Sequence, residues 1–236
     1  MLNPWSGALL IGTLVLPLGL RSYLLRYKKK KRIADWQSAL QIPQHLAHFD
    51  TIYRETNGFL LSREARQQQN RFEYTYGEID FCSFVALIGL TRPDKQTRFY
   101  DLGCGVGKAV IACAMVYDVA YACGIEILPP LHQAANQCKQ ALSAISDYTE
   151  KVLRIDFIKE DFLQSDLQSA TLIFINAAGF IGPIWQSLCD KLIENATHAT
   201  IIVISKTLPD SHFSLYKQTM VEMSWGIVQA SIYHRI

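Results

Sequence analysis

Charge is scarce in this chain. Of its 236 residues only 19% are Asp, Glu, Lys or Arg, whereas 50% are hydrophobic. That composition excludes a disordered chain, which needs low hydrophobicity and high net charge. Metal-ligand spacing is also missing. None of the six cysteines forms C-x-x-C and no His stands at ligand distance from a Cys pair, so no zinc framework and no other metal site is expected. Most of the cysteines (Cys82, Cys104, Cys113, Cys123, Cys138, Cys189) lie inside apolar runs, where a free thiol behaves as a small hydrophobe. Reduced thiols in a cytosol-like compartment follow as the expectation. There is no internal repeat, and Met1–Leu20 contains no ionisable side chain at all.

The charge that is present is unevenly placed. The total is +2, yet residues 1–35 hold seven Lys/Arg against the single acid Asp35, a net of +6, and the remaining residues are net −4. Pro4–Leu20 is an uncharged run of roughly 25 Å as a helix, and continuing through Tyr23, Leu24 and Leu25 brings it to about 33 Å, enough to span a bilayer if Arg21 snorkels. No Lys/Arg precedes the run and no A-x-A-like cleavage site follows it, which argues against a signal peptide. The K-K-K-K-R block beyond the run predicts a single-pass membrane protein whose body lies on the cytoplasmic, positive-inside face. Three parts are therefore expected: a transmembrane anchor with a basic flank over 1–35, a helical linker or lid over 36–71, and a catalytic domain over 72–236.

Past the linker, whose Ser62–Asn70 reads as a Ser-capped helix, the pattern alternates. Helices are expected at Ile79–Gly89, Val106–Tyr117, Pro129–Ser146 and Ile181–Ala196. Strands are expected at Arg98–Leu102, Ala120–Ile125, Val152–Ile158, Thr171–Asn176 and Thr200–Ser205, with two more near Gln218–Met223 and Ile227–His234. Continuous apolar strands alternating with helices imply an α/β fold with a parallel sheet covered on both faces. The helix-free final pair implies that the last strand returns antiparallel.

The strongest local signal is Asp101-Leu102-Gly103-Cys104-Gly105-Val106-Gly107-Lys108, at a strand–turn–helix junction. Its spacing is G-x-G-x-G, so the dinucleotide fingerprint G-x-G-x-x-G fails. The phosphate-binding P-loop fails too, because Leu102 takes its first Gly position and Ala109 follows Lys108 where Ser or Thr should hold Mg²⁺. Lys108 reads as a first-turn residue facing solvent. After the second strand, Gly124-Ile125-Glu126 offers an acid that can accept from two ribose hydroxyls. After the third, Asp161 and Phe162 are placed to accept from an adenine amino group and to stack on the ring, with Glu160 the weaker member of that acidic pair.

D-x-G-x-G-x-G resembles the first motif of class I S-adenosylmethionine-dependent methyltransferases, whose Rossmann-like seven-stranded sheet ends in such a hairpin. Asp101 can hold the ammonium end of that cofactor. Two further segments, Tyr74-Thr75-Tyr76-Gly77-Glu78 and Phe174-Ile175-Asn176-Ala177-Ala178-Gly179-Phe180, narrow the likeness. Together with GCGVGK, GIE, EDFL, Ser224-Trp225-Gly226 and Ser231-Ile232-Tyr233-His234 they resemble the DOT1-like histone-lysine methyltransferases over about Phe72–Ile236. The resemblance implies that Tyr76, Gly77 and Glu78 close over the cofactor's amino-acid end, beside Gly103, Gly105 and Gly107. It also implies that Asn176 sits by the transferred methyl and the incoming nucleophile, while Phe180 and Tyr233 line a narrow channel. Ala177 and Ala178 replace the family's second Asn and first Phe, which predicts a wider channel, and Ile79 replaces a Thr. In layout the chain is also similar to the membrane-anchored lysine methyltransferases of the ATP synthase c-subunit.

A protein-lysine methyltransferase using S-adenosyl-L-methionine is thus the expected function, with Asn176 and Tyr233 as the catalytic candidates. Two alternatives stay open: a methyltransferase for a membrane-associated small molecule, such as a quinone or lipid precursor, and a non-catalytic cofactor-binding scaffold. No basic tail follows the domain, and its net −4 is unsuited to neutralising phosphates, so strong nucleic-acid binding is not expected and the histone substrate is not carried over.

Overall fold

The structure is a computed structural model and describes residues 18–68 and 76–236. The chain divides after Gln41. The first unit contains α1 (Leu18–Ala39), in which Arg26, Lys28, Lys29, Lys30, Lys31 and Arg32 are all exposed. Six cations in seven residues wind around the whole helix, so no apolar stripe survives on that stretch. No helix among the described residues is long and apolar enough to cross a membrane. The expected single-pass membrane placement is thereby corrected: Tyr23, Leu24 and Leu25 lie in the same helix as the six cations instead of completing an apolar span. The rest of that expected span, up to Pro17, lies outside the described residues.

The second unit, Ile42–Ile236, begins with α2 (Ile42–Tyr53) and α3 (Gly58–Gln68). Asn57 starts α3 by accepting from Leu60 N at 3.0 Å. The helix therefore begins four residues ahead of the expected Ser62, whose side chain is buried within it. Next comes α4 (Phe81–Gly89), capped by Asp80, which accepts from Ser83 N at 2.8 Å. Strands and helices then alternate through β1 (Arg98–Leu102), α5 (Lys108–Val116), β2 (Tyr121–Ile125) and α6 (Pro129–Ser143). Val152 belongs not to a strand but to the short α7 (Thr149–Val152), and β3 is only Ile155–Ile158. The chain continues through β4 (Leu172–Asn176), α8 (Pro183–Asn195), β5 (Thr200–Ile204), β6 (Phe213–Met223) and β7 (Gly226–Arg235). Proline stands at the start of both α6 and α8, where its missing N–H is no loss.

The seven strands form one sheet in the order β3-β2-β1-β4-β5-β7-β6. All neighbours are parallel except that β7 runs antiparallel to both β5 and β6. The α/β class and the antiparallel last strand are as the sequence pattern implies. Helices cover both faces of the central strands, so these are buried residue after residue rather than alternately. On one face Leu102, Ile125, Ile173, Ile175, Ile201 and Val203 pack with Leu188, Cys189 and Leu192 of α8. On the other, Phe84 of α4 meets Phe99 and Phe174 edge-on, with ring centroids 6.0 and 5.4 Å apart. Successive strands step outward in one direction from β1 and in the other from β4. The carboxyl ends of these two neighbours therefore open a crevice, the usual ligand position in such sheets.

Candidate active site

Three positive φ values shape the loop after β1: +81° at Gly103, +57° at Gly105 and +80° at Gly107. A side chain would be strained at each, and two would also collide. A Cβ on Gly105 would lie 2.4 Å from the Tyr76 ring, and one on Gly107 would lie 2.4 Å from Phe157. The second strand holds the loop in place. Gly103 N and Cys104 N donate to the Ile125 carbonyl at 2.9 and 3.1 Å, and Gly105 N donates to Glu126 Oε2 at 2.8 Å. Glu126 Oε1 accepts from Leu128 N at 2.8 Å, so this carboxylate ties the glycine loop to the start of α6.

A cavity of about 1070 Å³, part of it open to solvent, lies over this loop. Asp101, Gly103, Gly105 and Glu126 line its floor, with Asp161 and Phe162 on the β3 side and Asn176 and Phe180 on the β4 side. Tyr76, Gly77 and Glu78 form the remaining wall. Asp101 is only 3% exposed, and no donor among the described residues reaches its carboxylate. Burial, and then the nearby Glu126, push its pKa well above the usual carboxylate range. Burial also raises Glu126, against the pull of its backbone N–H donors. Asp161 Oδ1 accepts from Leu163 N at 2.9 Å, while Glu160 turns aside to Ser165 Oγ at 2.7 Å. Phe162 and Phe180 pack with ring centroids 5.1 Å apart.

The Tyr76–Asp80 segment is held as a short addition to the end of β6. Ile79 bridges Met223, Asp80 N donates to Glu222 O at 2.9 Å, and Ser224 N donates to Glu78 O at 2.8 Å. A Cβ on Gly77 would sit 1.9 Å from the Trp225 ring, so the indole lies flush against bare backbone. From the β4 end, Asn176 Nδ2 donates to the Gly77 carbonyl at 3.1 Å. Its Oδ1 is buried without a partner among the described residues, and Asn176 lines the cavity. Tyr74 and Thr75 lie outside the described residues.

Two of the expected site residues do not reach the cavity. Gly107 is the left-handed residue that opens α5 and makes room for Phe157 and Ala135. Tyr233 is a buried core residue of β7, paired with Ile201 and Leu215. Lys108 corrects the solvent-facing expectation: it is half-buried, lines the cavity and pairs with Glu78 Oε2 at 2.6 Å. Sequence reading also missed Leu128 and Leu131, which line the wall at the start of α6. The signal was available, since an acid at a strand end followed by a proline-started helix brings the helix's first apolar residues to the same mouth. No residue lining the cavity, among those described, is a histidine.

The sequence profile of the family described as "Histone methylation protein DOT1" matches residues 60–231. A Caenorhabditis elegans protein named histone-lysine N-methyltransferase, H3 lysine-79 specific, is 29% identical over 140 residues, which is 57% of this chain and 15% of that protein. An Emericella nidulans protein of the same name is 26% identical over 154 residues, 62% of this chain and 30% of the relative. The chain thus matches less than a third of either relative's length. Among solved structures, an RNA methyltransferase from Salinibacter ruber in complex with S-adenosyl-L-homocysteine shares the fold, with a TM-score of 0.50 and 20% identity. The match covers 65% of this chain and 89% of that one. Neither the described residues nor these relatives' names support a single-pass membrane placement.

Proposed function

The chain belongs to the DOT1 family of histone methylation proteins, and on that premise we propose that it is an S-adenosylmethionine-dependent methyltransferase acting on lysine side chains of a protein. One observation carries the reading. The cavity is lined by the buried carboxylate of Asp101 and by Asn176, whose buried Oδ1 has no partner among the described residues. Each leaves its strand's carboxyl end, and β1 and β4 are neighbours. A buried polar atom left unpaired costs about 1–3 kcal/mol, so the orphaned Asn176 Oδ1 beside a buried carboxylate speaks for a ligand that brings donors.

The residues fit the cofactor. Asp101 would take its ammonium group. Glu126 accepts from backbone N–H groups, those of Gly105 and Leu128 at 2.8 Å among them, and a carboxylate with about four lone-pair sites would still have room for a ribose hydroxyl. Asp161 Oδ2, which has no partner among the described residues, would take the adenine amino group, with Phe162 lining the same wall. Tyr76, Gly77 and Glu78 would close the amino-acid end. When bound, the cofactor supplies an electrophilic methyl group on a sulfonium.

The protein's own part is orientation. A lysine must arrive neutral, and its ordinary pKa is about 10.4. The apolar walls at Phe174, Phe180 and Ile184 disfavour the charged amine, which lowers that value. Asn176 Oδ1 then accepts an N–H of the amine and turns its lone pair toward the methyl group. Alignment of this kind supplies much of a displacement's rate, and it needs no strong base. The net −4 of the body and the narrowed coverage of its relatives leave the acceptor protein to experiment; the relatives' histone H3 is the first to assay.

Transfer of radiolabelled methyl from S-adenosylmethionine into purified histones and into a cell extract tests the reading, with the label resolved into protein and lipid and the protein hydrolysed. Label in methyl-lysine is expected. Label only in lipid, or in no lysine derivative, overturns the assignment.

A further inference from the structure

We propose that Lys206 selects the protein segment to be methylated, by pairing with a carboxylate side chain that flanks the target lysine. The inference rests on the methyltransferase reading above and names the substrate class that this reading leaves open: lysines in acidic surroundings. The sheet order lays the charges out in a row. β3, β2 and β1 lead to Asp161, Glu126 and Asp101 on one side of Asn176, which ends β4. β5 lies on the other side, and Asn176 pairs with Ile204 at its end. Lys206 follows Ile204 by two residues. Neighbouring strands stand about 4.8 Å apart and two residues span at most about 7 Å, so the Cα of Lys206 lies within about 12 Å of that of Asn176. In an extended segment, an acid one to three residues from a lysine held at Asn176 is displaced by about 3–10 Å, which brings it into range of the Lys206 side chain.

Two features hold the cation there. Ser205 takes a φ of +63°, a left-handed conformation uncommon for a residue with a side chain, and its N–H donates to the Gln229 carbonyl at 3.0 Å. The chain thereby turns out of β5, and Lys206 Nζ lies over the Trp185 ring, 5.6 Å from its centroid. Trp185 adjoins Ile184, one of the apolar walls that the amine would pass. Lys206 and Trp185 are both half-buried. The ring fixes the ammonium in place but neutralises no charge. No carboxylate among the described residues pairs with Lys206, and no described residue accepts from its Nζ. Its three donors are therefore open to a partner. A fixed cation beside the acceptor's path favours an acidic flank and repels a basic one.

The competing account is that Lys206 only covers Trp185 with its apolar stem while its head stays in water. The two accounts differ in what a change of charge should do. A covering stem leaves the choice of substrate alone, whereas a selecting charge alters it and leaves the cofactor alone.

Methyl transfer into the proteins of a cell extract, with each methyl-lysine located by mass spectrometry, separates them for the full chain and for Lys206→Met, Lys206→Glu and Lys206→Arg. Calorimetry with S-adenosylhomocysteine confirms that each variant is folded and should give affinities within about twofold of one another. The unaltered protein should favour lysines with Asp or Glu within three residues. Lys206→Met should slow transfer to those sites about tenfold, the scale of a lost charge-assisted hydrogen bond. Lys206→Glu should shift transfer toward lysines with basic neighbours, and Lys206→Arg should keep the original preference. Sites of the unaltered protein without acidic neighbours, or the same sites at the same relative rates in the Met and Glu variants, overturn the proposal. Methyl-lysine absent even with the unaltered protein would instead defeat the methyltransferase reading itself.

Discussion

Asn176 reaches across the cavity to Gly77, its Nδ2 donating to the backbone carbonyl at 3.1 Å. That bond fixes the orientation of the amide, because a carbonyl can only be met by the NH₂ side. The oxygen is left buried and without a partner among the described residues, in a side chain that lines the cavity. Asn176→Ala should therefore lower methyl transfer by about 100-fold, the scale expected when a reacting group loses its alignment. S-adenosylhomocysteine affinity should change by much less. Single-turnover rates beside calorimetry measure both, and full transfer by the variant would remove the orienting role.

Asp101 is a site where function opposes stability. Burial raises its pKa, so the folded protein holds this proton more tightly than the unfolded chain does. The stability this contributes is present below the unfolded value of about 3.9 and is lost as pH rises through the higher folded value. Asp101→Asn avoids the ionisation. Without cofactor its melting temperature at pH 7 should exceed that of the unaltered protein, and the gain should shrink as pH falls toward about 4. The same variant should bind S-adenosylhomocysteine at least about tenfold more weakly. Melting curves across pH check the first claim; a variant less stable at pH 7 would refute it.

Gly58 and Gly105 grip one ring from two sides. A Cβ on either would come within 2.4 Å of Tyr76, although the two glycines belong to α3 and the glycine loop. Phe59 adds an edge-on contact at 5.1 Å. Gly58→Ala should displace the ring and weaken S-adenosylhomocysteine several-fold, about 1 kcal/mol, although Gly58 itself does not line the cavity. Alanine is the better helix former, so folding stability should fall little. Unchanged affinity would show that Tyr76 can shift at no cost.

His45 and His48 share one hydroxyl. Tyr148 Oη lies 2.7 Å from Nδ1 of the first and 3.1 Å from Nδ1 of the second, and it has one proton to give, so one imidazole accepts while the other donates. Burial, then Lys151 and His48, lower the His45 pKa to about 4. The folded state thus resists a proton that the unfolded state accepts near pH 6.5, and stability should fall as pH drops from about 6.5 toward 4. His45→Gln should flatten that slope, as denaturant unfolding at pH 7, 6 and 5 will register. An unaltered slope would assign the acid loss to other groups.

The strand ends and their acids were legible because their signals are local. An apolar run must be buried, a run covered on both faces belongs to a central strand, and glycines at the junction mark a turn that side chains cannot adopt. Asp101, Glu126 and Asp161 followed from standing at such ends. Where the helices begin was less legible, because two capping residues can compete: Asn57 and Ser62 are both good caps, and packing chose the first.

The misjudged residues share one cause. Lys108 and Tyr233 sit next to strong motifs, and nearness in sequence does not say which way a side chain turns. Lys108 points inward because Glu78, thirty residues earlier, is folded back over it by pairing with the end of β6. Tyr233 points into the core because β7 inserts between β5 and β6, which puts its residue under α8 rather than at the crevice. The uncharged leader misled in another way: its apolar length was read together with residues that the fold places in a charged helix. Composition and periodicity thus decide the sheet and the residue types at its mouth, since burial acts on each segment in turn. Charge pairing and the orphaned oxygen of Asn176 depend on segments distant along the chain meeting, which packing alone arranges.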